Sequence, residues 1–65
     1  MSQTQVKAAL EDIKMGTVKE VHTQVQKNGI TITTDQVRGE LLRMYNAEIA
    51  DRILSDKSVW IYYSK

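Results

Sequence analysis

The sequence predicts an α+β fold of three helices, a short strand and a C-terminal β-hairpin, and two observations carry that expectation. Two capping boxes mark helix starts at Thr17 and Thr33, and the apolar spacing changes from helical to alternating near residue 49. A chain of 65 residues is expected to form one domain over 1–65. A unit of that size buries only about 60% of the surface that its unfolded chain exposes. Cysteine is absent, so no disulfide or thiolate metal site adds stability, and self-association is the expected supplement.

Val6, Ala9, Leu10 and Ile13 recur at helical spacing and predict a first helix over 4–14, with Ser2 or Thr4 as N-cap and Gly16 as left-handed C-cap. Thr17-Val18-Lys19-Glu20 then opens a second helix over 18–27. Its buried stripe is Val18, Val21 and Val25, and Asn28-Gly29 stops it. Ile30-Thr31-Ile32-Thr33 alternates apolar and β-branched polar residues, the pattern of a short strand that pairs with something distant. Thr33 or Thr34 caps a third helix to about Ala47, with Gln36 closing the capping box and Asp35 complementing the positive helix start. Val37, Leu41, Met44 and Tyr45 form its apolar face. Segments 49–54 and 58–63 flank the polar turn Ser55-Asp56-Lys57 and form the hairpin, with Val59-Trp60-Ile61-Tyr62-Tyr63 the most strand-like stretch of the chain.

The order helix, helix, short strand, helix, hairpin resembles the winged-helix branch of the helix-turn-helix DNA-binding proteins. The resemblance covers nearly the whole chain and is one of pattern. Thr17-Val18-Lys19-Glu20-Val21 is similar to the start of the helix that precedes the turn, Thr34 to Met44 to a recognition helix, and Ile49 to Tyr63 to a wing. The connection from Lys27 to Thr33 is longer than the tightest turns of this class, and Asn46-Ala47-Glu48 stands where a glycine often joins recognition helix to wing. The resemblance implies double-stranded DNA as partner, with the third helix in the major groove.

Nine Lys and Arg against eight Asp and Glu leave the chain nearly neutral, and residues 33–65 balance at five of each sign. Any DNA binding therefore depends on where the charges sit. Gln36, Gly39, Arg43 and Asn46 share the polar face of the third helix. Arg reads guanine edges with two hydrogen bonds, Gln and Asn read adenine, and a mid-helix glycine admits a close backbone approach. The competing reading is a solvated face with Gly39 accommodating another helix. Thr34 opens the same helix, and Arg38 at its boundary is expected to reach a backbone phosphate. Arg52 and Lys57 in the wing are placed for phosphate, or else for structural ion pairs with Asp51 and Asp56.

Alternation puts Trp60 and Tyr62 on one face of the last strand, which reads either as a partner-binding surface or as two rings resting on the first helix. A protein-interaction module on the same scaffold is thus the alternative function, and a homodimer is the expected assembly. His22 lacks a second ligand at helical spacing, so no metal or other cofactor is expected, and no catalytic constellation is present that would make the chain an enzyme. The first residues resemble no signal peptide and no apolar run approaches a membrane span, so the expected location is the cytoplasm.

Overall fold

The computed structural model describes residues 2–65, the side chain of Ser2 excepted. The chain runs α1 (Ser2–Ile13), β1 (Met15–Gly16), α2 (Val18–Lys27), α3 (Thr34–Asn46), β2 (Ala50–Leu54) and β3 (Trp60–Ser64). The three strands form an antiparallel sheet in the order β1-β3-β2. This is the α+β class expected, with three helices and a C-terminal hairpin. Among the described residues no helix is long and apolar enough to cross a membrane.

Both capping boxes form. Thr17 Oγ1 accepts the Glu20 N–H and Glu20 Oε1 accepts the Thr17 N–H, and Thr33 and Gln36 repeat the exchange. These bonds satisfy N–H groups that have no partner inside the helix. The two helices also end alike. Gly29 (φ 85) and Glu48 (φ 61) take left-handed conformations, and the next residues, Ile30 and Ile49, donate back to Val25 and Met44 at 3.2 and 2.9 Å. Each stop is a Schellman motif whose final isoleucine turns into the core. Glu48 thus takes the place of the expected glycine.

The first helix ends differently from the expectation. Lys14 (φ 75), not Gly16, takes the left-handed position, and its N–H bonds Leu10 O at 2.8 Å. Gly16 is freed to enter the sheet. The expected strand Ile30–Thr33 is also corrected, because that segment pairs with nothing in the sheet and the third strand is Met15–Gly16 instead. Ile30 and Ile32 pack against the core while His22 Nε2 meets the Ile32 carbonyl at 2.8 Å. One side-chain hydrogen bond thus replaces the ladder that the alternation suggested.

The core consists of Val6, Ala9 and Leu10 from α1, Val21 and Val25 from α2, Val37, Leu41 and Met44 from α3, with Ala50 and Tyr62 from the sheet. Tyr62 lies opposite Gly16 on one side and Arg52 on the other. A Cβ on Gly16 would stand 2.8 Å from Ile13 Cδ1 and 3.1 Å from Glu20 Cβ. The strand lies so close to α1 and α2 that an added side chain there would displace both neighbours. Gly16→Val is therefore expected to cost about 1–3 kcal/mol through overpacking, read as a lowered midpoint in urea with an unchanged slope.

Candidate nucleic-acid interface

The outer face of α3 is where helical rotation puts it. Gln36, Arg43 and Asn46 are exposed and Gly39 is partly so. Arg43 projects with its side chain 78% exposed and approaches Glu40 Oε1 at 3.5 Å, while Glu40 is drawn in against the molecule at 13% exposure. With the Arg43 side chain so exposed and the contact long, the pair contributes little stability, so Arg43 remains available to a ligand. Gln36 is partly committed, because its Oε1 accepts the Thr33 N–H at 2.8 Å. Nothing lies within 4 Å of the position of a Cβ on Gly39, so no helix of this chain is accommodated there.

The next face round the helix carries Thr34, Arg38 and Leu42, and it forms one wall of an open groove of about 850 Å³. The start of α2 (Thr17, Val18, Lys19) and the hairpin residues Arg52, Lys57, Ser58, Val59, Trp60 and Tyr62 complete the lining. Four cations, Lys19, Arg38, Arg52 and Lys57, converge on it, and no acidic residue lines it. Beside the groove, Asp35 accepts from Arg38 Nη1 at 2.6 Å. Thr34, Arg38, Arg52 and Lys57 are therefore brought together, whereas Gln36, Gly39, Arg43 and Asn46 form the adjoining outer face.

The sequence pattern did not single out Lys19. The capping box located it in the first turn of α2, but its meeting with the hairpin is a tertiary event. Lys57 reaches the groove because Ser55 N–H bonds Val59 O at 2.9 Å and closes the loop on Asp56, Lys57 and Ser58, the last in a left-handed conformation (φ 59). The turn is therefore displaced by one residue toward the C-terminus relative to Ser55-Asp56-Lys57, and β3 starts at Trp60 rather than at residue 58.

Arg52 has the most structured surroundings. Its guanidinium carbon lies 4.3 Å from the Tyr45 ring centroid and 4.1 Å from that of Trp60, and Nη1 donates to Tyr62 Oη at 3.3 Å. The Tyr62 hydrogen bond raises the Arg52 pKa above its ordinary value against an opposing effect of burial, so the charge persists across the working pH range. The alternative ion pair with Asp51 does not form through the guanidinium; Asp51 Oδ1 accepts the Arg52 peptide N–H instead, at 2.8 Å. On the other face of the sheet, burial and the nearby Asp51 carboxylate raise the Tyr63 phenol above its usual pKa.

Trp60 and Tyr62 share a strand face as the alternation indicated, but their exposures differ. Trp60 is 42% exposed, whereas Tyr62 at 2% belongs to the core. Tyr62 is thus corrected from a surface anchor to a packing residue, because it lies level with Gly16 while Trp60 lies beyond the short β1. Among the described residues no three His, Asp or Glu side chains gather as a metal site.

Comparison with protein-family models and with curated proteins returns no match. Among solved structures, FurB from M. tuberculosis, a zinc uptake regulator, superposes with a TM-score of 0.78 at 19% identity, over 97% of this chain and 53% of that one. The fold is a winged helix. The chain spans about half the length of that neighbour, and at this identity the likeness speaks for the architecture alone. Since Gly39 has open space on an accessible helix face, Gly39→Ala is expected to stabilise the fold by about 0.8–1.0 kcal/mol, measured by thermal or urea unfolding.

Proposed function

We propose that this chain is a small DNA-binding regulatory protein, or the DNA-binding unit of one, over residues 1–65. In this reading α3 enters the major groove and the β2–β3 wing lies beside it. The observation that carries it is the groove lined by Lys19, Arg38, Arg52 and Lys57 with no acidic residue. In a chain of net charge +1, four cations gathered in one place concentrate what little positive potential the molecule has.

Arg38, Lys19 and Lys57 serve the phosphates, and Thr34 adds a hydroxyl at the helix start. Arg43 and Asn46 reach base edges, Gln36 contributes the amide NH2 that capping leaves free, and Gly39 permits close approach. The fold shared with a zinc uptake regulator favours regulation of transcription over an accessory part in recombination. The role is binding rather than catalysis, and it belongs in the cytoplasm with the DNA.

Arg43→Ala is expected to weaken a specific site by about 1–3 kcal/mol and relax discrimination there. Lys57→Ala weakens specific and random duplexes alike and lowers the salt slope by about one unit. Titrations at low salt that detect no binding to any duplex by the folded protein would overturn this reading.

Exposed apolar side chains on the hairpin favour a second reading, in which the chain binds protein. Ile53, Leu54, Val59 and Trp60 are 48%, 57%, 43% and 42% exposed, more apolar surface than a lone wing needs. The simplest partner is a second copy of the chain, giving a homodimer that presents two recognition helices. Sedimentation at high micromolar concentration is expected to show the dimer mass, and the monomer mass alone would remove self-association.

A further inference from the structure

We propose that Arg52 is a positioning residue that fastens the wing to the end of α3, rather than a phosphate contact. It sits in the middle of β2, and its two aromatic neighbours come from different elements, Tyr45 from the last turn of α3 and Trp60 from the wing strand β3. Both centroid distances, 4.3 and 4.1 Å, lie well inside the range of cation–π attraction. With Nη1 on Tyr62 Oη, the guanidinium touches two rings and a hydroxyl at once. A wide, planar guanidinium meets three groups at once where a compact ammonium would reach fewer.

The wing needs such a fastening. β1 pairs only with Tyr62 and Tyr63, so at Ile53–Ile61 and Leu54–Trp60 the sheet is reduced to two strands. A two-stranded hairpin is marginal by itself in water. The Tyr45–Arg52–Trp60 stack ties this part of the hairpin to a helix anchored by buried Val37, Leu41 and Met44. The same packing argues against phosphate binding by Arg52. Its Nε is buried and has no hydrogen-bond partner, which closes the side-on fork, and Tyr62 Oη already takes Nη1 from the end-on fork. The fastening sets the distance from Lys57 at the wing tip to Arg38 on α3, and with it the width of the cationic groove.

The consequence for DNA rests on the reading proposed above, but the fastening itself is measurable without DNA. Trp60 is the one tryptophan of the chain, so its fluorescence reports the stack. Arg52→Lys, which keeps the charge and loses the plane, is expected to shift Trp60 emission as much as Arg52→Gln does. Both, together with the charge-neutral Tyr45→Leu, are expected to weaken binding of a random-sequence duplex about tenfold, the scale of one or two misplaced phosphate contacts. Wild-type emission and affinity in Arg52→Lys, with a loss in Arg52→Gln alone, would overturn the proposal in favour of a plain charge contact.

Should the wild-type protein bind no duplex, the DNA reading fails while the fastening is still tested. Arg52→Gln and Trp60→Leu are then expected to be non-additive in thermal unfolding, and additivity would overturn the stack. Should Arg52→Gln fail to fold, Arg52→Lys and Tyr45→Leu carry the test, with unchanged Trp60 emission in both as the overturning result.

Discussion

The row of residues that crosses the sheet at Gly16, Tyr62 and Arg52 couples the core of this protein to its surface. At Gly16 the sheet passes close to α1 and α2, where a Cβ would crowd Ile13 and Glu20. That approach lets Tyr62 close the core from the sheet side. The Tyr62 hydroxyl then takes a hydrogen bond from Arg52, whose guanidinium also contacts the Tyr45 and Trp60 rings. Packing that begins as a steric allowance between α1 and α2 ends by orienting the wing toward α3.

Charge placement follows from this geometry. The chain carries almost no net charge, and its ion pairs at Asp35–Arg38 and Glu40–Arg43 are local pairs along α3. What makes a cationic groove is the meeting of three elements, the first turn of α2, one face of α3 and the wing, each bringing a Lys or Arg. No single segment is basic. The outer face of α3 remains separate from that groove, so the DNA-binding reading proposed above assigns phosphate and base contacts to adjoining surfaces of one helix. Such a division suits a binder whose affinity depends on placement rather than on bulk charge.

Much of the helical layer was legible because its signals are local. A capping box needs only four residues, and both boxes start their helices where Thr17 and Thr33 indicated. The apolar residues of α2 and α3 recur at a spacing that names the buried face, and the outer face of α3 follows by rotation. Helical spacing groups Tyr45 with that apolar face, yet it is 36% exposed and its ring meets Arg52. The strands were harder. Two residues, Met15 and Gly16, show no period, while Ile30–Thr33 does and pairs with no strand, because alternation describes a side-chain pattern and says nothing about whether a partner edge lies within reach.

The sequence by itself determined the three helices, the stops at Asn28-Gly29 and beyond Asn46, the hairpin and the polar face Gln36, Gly39, Arg43 and Asn46, because each follows from interactions among residues a few positions apart. Only the tertiary structure decided that Met15–Gly16 forms the third strand, that Tyr62 is core while Trp60 is surface, that Lys19 joins Arg38 and Lys57, and that Arg52 is stacked rather than free. These outcomes depend on which segments distant along the chain come into contact. Such contacts are selected by packing of the whole chain, and no local spacing encodes them.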